Sequence, residues 1–204
     1  MVKNLIFDMG QVLIHWTPDL YLSHYDLKEE DRQLLKAELF GGVEWVQLDR
    51  GSISEEDATD AVCARIPRRL HNIAEELITE WWRQPMRPVD GMAELIAQLK
   101  WKGYGIYLLS NAGLPLRNYF RWIPSASYFD GLMVSSEEKM VKPHYEIYHA
   151  LFERFDLKPE ECFFIDDNPL NVEAAACCGM AGTVFKGDIT RLKRELLDAG
   201  LWLM

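Results

Sequence analysis

The spacing of hydrophobic residues divides the chain into a stretch of helices and a stretch in which strands and helices alternate. A short apolar run at 3–7 predicts a buried strand, and residues 17–83 then show the spacing of amphipathic helices without strands. After Pro88 the apolar segments alternate between strand and helix patterns. This order predicts an α/β fold with a parallel sheet, helices on both of its faces, and a helical insertion after the first strand.

The predicted elements also indicate where the insertion lies. It contains helices around Leu34 and Leu39, after the N-cap Ser54, and around Ile73. The later elements are helices at 91–102, after Pro115, at 144–155, at 170–178 and from Asp188, with strands at 104–109, 132–134, 162–165 and 183–185. An insertion between strands of one sheet is expected over its carboxyl edge, where such sheets bind ligands. We therefore predict an α/β core at 1–15 and 86–204 and an all-helical cap at 16–85.

Polar residues follow several of the predicted strands. Asp8 ends the first apolar run, Ser110-Asn111 and Asp166-Asp167 end two later runs, and Lys142-Pro143 comes shortly after another. Carboxylates brought together suit a hard divalent cation such as Mg²⁺. A hydroxyl and an amide can hold phosphoryl oxygens, and a lysine can neutralise a nucleophile and a transferring phosphoryl group. Each piece alone is common in turns or on surfaces, whereas adjacent carboxylates after an apolar run repel each other unless a cation or donors hold them.

Together the four segments resemble the haloacid dehalogenase superfamily, in its phosphatase branch with a helical cap of the C1 type. The resemblance covers essentially the whole chain and is closest to bacterial sugar-phosphate phosphatases whose first motif reads Asp-x-Gly-Asn/Gln-Val. The segments that carry it are Phe7-Asp8-Met9-Gly10-Gln11-Val12, Leu109-Ser110-Asn111, Lys139-Met140-Val141-Lys142-Pro143 and the stretch from Ile165-Asp166-Asp167-Asn168-Pro169 to Ala175.

This resemblance implies a Rossmann-like fold, a mechanism and a set of site residues. Asp8 would attack phosphorus and become an aspartyl phosphate, with Lys142 as the second catalytic residue. Mg²⁺ would be bound by Asp8, the Gly10 carbonyl and Asp167, with Asp166 binding directly or supporting the others and Asn171 supporting the pair. Phosphate would be held by the residues Gln11, Ser110, Asn111 and Lys142. The substrate would be a small phosphorylated metabolite, with a sugar phosphate such as a hexose 1-phosphate favoured.

Gly10 departs from the family pattern, because most phosphatases of this family have there a second aspartate that acts as general acid and base. Such a group typically contributes about 10²–10⁴-fold to the rate. One alternative is a phosphatase in which water or a neighbour such as His15 moves the proton. A second is a 2-haloacid dehalogenase, whose chemistry needs no metal, and a third is a weakly catalytic binding or regulatory protein.

The cap offers fewer candidate residues. Trp45, Trp81 and Trp82 can line a sugar pocket, although aromatic residues at helical spacing are more often part of a core. Arg50, before Gly51 in a turn, can reach a substrate or lie on the surface.

Composition limits the possible partners and compartment. With 204 residues and a formal net charge of −10, the chain is unlike a nucleic-acid-binding or membrane-surface protein. The four cysteines have no metal or disulfide spacing, so buried free thiols are expected. We expect a cytoplasmic protein without a membrane span or signal peptide. Its expected partner is a small phosphorylated molecule, and the expected oligomeric state is a monomer or a homodimer.

Overall fold

The structure, a computed structural model, describes residues 1–202 and contains strands and helices in close agreement with the predicted order. A π-helical turn at Lys36–Phe40 follows the second helix, and short 3₁₀ turns join several other elements. In chain order the elements are β1 (Asn4–Phe7), β2 (Ile14–His15), α1 (Pro18–Leu22), α2 (Glu29–Leu35), α3 (Val43–Arg50), α4 (Glu55–Cys63), α5 (His71–Thr79), β3 (Arg87–Pro88), α6 (Met92–Trp101), β4 (Gly105–Ser110), α7 (Leu116–Phe120), β5 (Gly131–Val134), α8 (Ser135–Glu138), α9 (Tyr145–Arg154), β6 (Cys162–Asp166), α10 (Pro169–Cys177), β7 (Ala181–Val184) and α11 (Ile189–Asp198).

Five parallel strands form the central sheet in the order β5-β4-β1-β6-β7. In the middle of the sheet, Asn4 of β1 pairs with Gly105 of β4 on one side and with Cys162 of β6 on the other. The chain runs outward from β1 to β4 and β5, and then outward from β6 to β7 in the opposite direction. The carboxyl ends of β1 and β6 therefore flank the switch point at which open α/β sheets bind ligands.

Helices cover both faces of this sheet, as strands that are apolar on both sides require. Leu5 and Phe7 of β1 pack on one face with α6 and α11, whereas Ile6 packs on the other with α9 and α10. The predicted fold class is confirmed.

The inserted helices α1–α5 have a hydrophobic core of their own, which explains why they form a separate layer above the sheet. Its buried residues are Tyr21, Leu22, Leu35, Leu39, Val62, Ile66, Leu70, Ala74, Leu77 and Ile78. Ser54 caps α4 as expected, with its hydroxyl accepting a 3.0 Å hydrogen bond from the Asp57 N–H. We call this layer the cap, and its boundaries at 16 and 85 stay a prediction.

A two-stranded antiparallel ribbon joins the cap to the core and was not expected from the sequence. Ile14 of β2 pairs with Pro88 of β3, and His15 pairs with Arg87. The segments that enter and leave the cap are therefore paired with each other. Strands of two residues, one of them a proline, carry no alternating pattern that could reveal them.

Two expectations outside the site can also be compared with the structure. All four cysteines are free, as expected, but the expected burial holds for Cys162 alone, because Cys63 and Cys178 are half-buried and Cys177, the last residue of α10, is exposed. None of the helices within residues 1–202 is long and apolar enough to cross a membrane.

Candidate active site

Three charged side chains meet at the carboxyl ends of β1 and β6. The Lys142 Nζ atom lies 2.8 Å from Asp8 Oδ1 and 2.6 Å from Asp166 Oδ2, and all three residues are buried. An ammonium group between two carboxylates offsets part of the cost of removing these charges from water. Three of the four predicted segments thus converge on one ion-pair network.

Asp166 is held more firmly than its neighbour Asp167. Its Oδ1 accepts a 2.8 Å hydrogen bond from the Asn168 N–H, and the Asn171 amide donates to both of its oxygens at 3.0 and 3.1 Å. Asp167 is half-buried and lines the cavity above the network. We call Asp8, Lys142, Asp166, Asp167 and Asn171 the floor of the site.

The floor has the donor set of a divalent cation site. One carboxylate oxygen from each of Asp8, Asp166 and Asp167 lies within 4.8 Å of the other two. Oxygen donors of this kind match Mg²⁺, which prefers a few carboxylates together with water. The residues present therefore fit the Mg²⁺ that the resemblance implies.

The net effect of burial and neighbouring charges is to raise the pKa values of Asp8, Asp167 and Lys142. Burial raises the pKa of Asp8 to about 7, and the charge of Asp166 adds to this rise while Lys142 opposes it. Burial also raises the pKa of Asp167. For Lys142, burial alone would lower the pKa, but the two carboxylates raise it above its usual value and keep the ammonium charged. Because a cation near these carboxylates would lower their pKa values, metal binding favours an ionised Asp8.

The predicted phosphate-binding residues also have positioning roles that the sequence did not reveal. The Asn111 amide donates to the Lys142 carbonyl at 3.0 Å, and its Oδ1 accepts from the Lys142 N–H at 2.8 Å. The Gln11 Oε1 accepts a 2.9 Å hydrogen bond from the Trp16 N–H, and Gln11 has a left-handed φ of 58°. Ser110 is buried, and these three residues line the cavity above the floor. Their contact with phosphate stays a prediction.

Gly10 lies in the same cavity wall and has room for a side chain. A Cβ atom built there would have only the Trp16 Cβ nearby, at 3.9 Å. Crowding therefore does not explain the absence of an aspartate at this position. His15 is exposed on β2 and outside the residues that line the cavity, and so is poorly placed to replace that aspartate.

The cavity has two parts, each of about 400 Å³, which is the size of small-molecule sites. The inner part lies on the floor, and the outer part extends between the cap and the loop after β4. Both parts are lined by Trp45, Asp49, Trp81, Gly113 and Tyr119. The walls of the outer part are mostly apolar, with Leu48, Ile53, Ile78, Leu114 and Pro115.

Aromatic contacts join the cap to the core beside this cavity. The Tyr119 ring of the core lies 5.2 Å from the Trp81 ring and 6.1 Å from the Trp82 ring of the cap. Trp45 and Trp81 also pack against the cap's hydrophobic core. Both tryptophans thus belong to the cap core, as aromatic residues at helical spacing usually do, and they also line the cavity. Arg50 is outside the cavity lining.

Asp49 is a site residue that the sequence reasoning missed. It lies on α3, lines both parts of the cavity, and follows Trp45 by four residues, so that both side chains share one helix face. Burial raises the pKa of Asp49 to about 7, and the charge of Asp8 adds to the rise while Lys142 opposes it. The spacing from Trp45 was the only available signal, and it has meaning only once the cap is known to face the floor.

The sequence pattern of haloacid dehalogenase-like hydrolases matches residues 2–179. The chain belongs to this family. Sesquiterpene phosphatase astK of Aspergillus oryzae is 31% identical to this haloacid dehalogenase-like hydrolase over 190 residues, which cover 88% of both chains. Flavin mononucleotide hydrolase 1 of Arabidopsis thaliana is 26% identical over 161 residues, which cover 77% of this chain and 62% of that protein.

Solved structures agree with this assignment. A haloacid dehalogenase-family enzyme from Bacteroides thetaiotaomicron, in complex with magnesium and inorganic phosphate, is 25% identical. It superposes with a TM-score of 0.66, covering 94% of this chain and 99% of its own. The expected family and fold are confirmed, and the phosphatases among its relatives confirm the expected enzyme class, a phosphatase of the haloacid dehalogenase-like hydrolases.

Proposed function

We propose that the protein is a Mg²⁺-dependent phosphatase that hydrolyses a phosphate monoester through an aspartyl phosphate on Asp8. The observation that carries the proposal is the group of three carboxylates, Asp8, Asp166 and Asp167, which meet beside the buried ammonium of Lys142. A dehalogenase that attacks carbon needs no metal and would gain nothing from this group. The same group argues against a protein that only binds.

Each residue of the floor has a specific task in this reaction. The Asp8 carboxylate attacks phosphorus while Lys142 neutralises charge on the nucleophile and on the phosphoryl group. Asp8, the Gly10 carbonyl and Asp167 would bind Mg²⁺, and Asp166 would position Lys142 and support the metal site. Bound Mg²⁺ would supply further positive charge next to the phosphoryl oxygens. The Ser110 hydroxyl and the Asn111 amide would hold those oxygens, and water would then release phosphate from Asp8.

The cavity lining supports a monophosphate with a largely apolar leaving group. Among the residues that line it within 1–202, Lys142 is the one basic side chain, so the site has charge for one phosphoryl group rather than two. The aromatic and aliphatic outer walls match an isoprenoid or aryl alcohol better than a polyhydroxylated sugar. The similarity to a sesquiterpene phosphatase is consistent with this choice. The hexose 1-phosphate favoured from the sequence stays a prediction and is the natural comparison substrate.

The test measures phosphate release from a panel of monophosphates with added Mg²⁺. Farnesyl phosphate and hexose 1-phosphate represent the two leaving-group types, and we expect kcat/KM to be at least about tenfold higher for farnesyl phosphate. A higher value for the sugar would restore the expectation from the sequence.

Two controls decide the reaction class. Asp8→Asn and EDTA should each abolish phosphate release, whereas Asp60→Asn, an exposed position on α4, should leave it unchanged. Halide release from 2-haloacids in the presence of EDTA would instead identify a dehalogenase. Absence of turnover on every phosphoester would contradict the proposal.

A further inference from the structure

We propose that Asp49 of the cap is the general acid and general base of this hydrolysis, in place of the carboxyl that is absent at position 10. The inference rests on the proposed phosphatase function. It gives Asp49 the proton transfer for which the floor provides no residue. It makes the cap part of the catalytic machinery as well as the wall of the substrate cavity.

The location of Asp49 supports this role. It lines both parts of the cavity, whereas Asp8 and Lys142 line only the inner part and Leu48 and Ile78 only the outer part. A substrate with its phosphoryl group on the floor and its leaving group in the outer part has its bridging ester oxygen at the junction. That oxygen must receive a proton when the ester bond breaks, and Asp49 is the carboxyl at that junction.

Hydrogen bonds to the core fix the backbone at Asp49. The buried Ser135 hydroxyl donates to the Asp49 carbonyl at 2.5 Å and accepts from the Ala112 N–H at 2.8 Å. Ala112 directly follows the predicted phosphate-binding pair Ser110-Asn111. Two residues further along the cap, the Lys139 ammonium donates to the Gly51 carbonyl. The carboxyl-terminal end of α3 is therefore tied to the loop that would hold the phosphoryl group.

Four charged or titratable groups surround Asp49, and they belong to the floor, to α7 and to α4. Asp8 and Lys142 face it from the floor, Tyr119 from α7, and Glu55 from α4 across the outer cavity. Burial and Asp8 raise the pKa of Asp49 to about 7, so that near neutral pH its carboxyl can both give and accept a proton.

The other groups in the cavity are less suited to both tasks. Burial, with the charge of Asp49 adding to its effect, raises the pKa of Tyr119 well above its usual value, so its phenol stays protonated and cannot act as a base. Glu55 lines only the outer part of the cavity. Among the carboxyls that line the cavity within residues 1–202, Asp49 is thus the one that lies close to the floor without being part of it.

The proposed proton transfers balance in both steps. An Asp8 oxygen forms a bond to phosphorus while the bond from phosphorus to the leaving oxygen breaks. That oxygen takes the proton of the Asp49 carboxylic acid, and the alcohol departs. In the second step the Asp49 carboxylate removes a proton from water, whose oxygen bonds to phosphorus. The bond to Asp8 breaks, inorganic phosphate is released, and Asp49 is again protonated.

The test compares Asp49→Asn with wild type on two substrates, with Asp60→Asn as the matched control on an exposed cap position. For an alkyl phosphate we expect kcat to fall about 10²–10⁴-fold without a burst of alcohol. Nitrophenolate leaves without a proton, so p-nitrophenyl phosphate should give a burst stoichiometric with enzyme, followed by slow turnover as the aspartyl phosphate accumulates. The limb of the pH–rate profile that reports the titration of the Asp49 carboxyl should also be absent from the variant.

A rescue experiment separates catalysis from a structural effect. The double variant Gly10→Asp/Asp49→Asn restores a carboxyl at position 10, where a side chain has room. We expect its kcat on the alkyl phosphate to be at least about tenfold higher than that of Asp49→Asn. An Asp49→Asn enzyme that retains wild-type kcat on the alkyl phosphate would overturn the proposal. So would a loss with neither burst nor rescue. If wild type itself hydrolyses no phosphoester, the phosphatase function fails instead, and the two failures are thereby distinguishable.

Discussion

The floor and the cap wall of the cavity are built by different kinds of interaction. On the floor, Lys142 contacts two carboxylates and Asp166 accepts hydrogen bonds from three donor groups, so the charges of these two residues have directional partners. In the cap wall, Trp45 and Trp81 present apolar faces that pack without direction. Directional contacts fix reacting atoms in place, whereas apolar walls admit molecules of similar shape. Attack on phosphorus therefore depends on the floor, whereas substrate choice depends on the aromatic wall of the cap, from which Asp49 also supplies the proposed proton transfer.

The largest expected effect comes from removing the central cation of the floor. Lys142→Met leaves the buried carboxylates of Asp8 and Asp166 without their cation, so we expect the free energy of unfolding in EDTA to fall by about 3–5 kcal/mol. Phosphate release should also fall to background. Urea denaturation and a phosphate assay measure the two effects.

Lys3→Met is the matched control for this substitution. Lys3 also forms an ion pair, 2.7 Å from Glu161, but on the surface, where 62% of its side chain is exposed. Solvent screens such pairs, and we expect no measurable change in stability or activity. Equal stability of the two variants would show that the floor is not held by its ion pairs.

A smaller effect is expected where the cap approaches the core. Gly51 has a φ of +68°, and a Cβ there would collide with the Ser136 carbonyl oxygen. Gly51→Ala should displace the end of α3 and lower kcat/KM by about 10- to 100-fold, since small displacements of positioned groups are costly.

Gly103→Ala separates this displacement from backbone strain. Gly103 has a φ of +87°, but a methyl group there would have nothing beyond its chain neighbours within 4 Å. An alanine at this position therefore costs only the left-handed backbone, about 1–2 kcal/mol of stability. We expect its kcat/KM to match wild type. An equal loss of activity in both variants would mean that the cap–core contact has no special role.

The smallest effect is expected in the cap wall. Trp45→Ala removes apolar surface from both parts of the cavity and should raise KM for farnesyl phosphate by roughly tenfold, with little change for hexose 1-phosphate. Trp101→Ala is the control, because 93% of Trp101 is exposed on the core. A uniform rise in KM for both substrates would indicate that Trp45 supports the cap rather than the leaving group.

The sequence predicted the floor better than the cap, and the reason is physical. Asp8 and Asp166 each close an apolar run, and parallel strands bring such residues to one edge whatever the rest of the chain does. Asp49 lies within a helix, where its role depends on how that helix is oriented over the sheet. The two hydrogen bonds between the Asn111 side chain and the Lys142 main chain likewise join two loops, and no local sequence pattern predicts such a contact. The β2–β3 ribbon is too short to have a pattern.

The hydrogen bond from Ser135 to the Asp49 carbonyl has a consequence for which molecules the enzyme can process. Because the proposed proton donor travels with the cap, the reactive centre is complete only when the cap rests on the core. A phosphorylated protein or other bulky phosphoester that holds the cap away would meet the nucleophile without an acid. Size selection would then act on turnover itself, and not only on binding, so large phosphoesters could occupy the floor and remain intact.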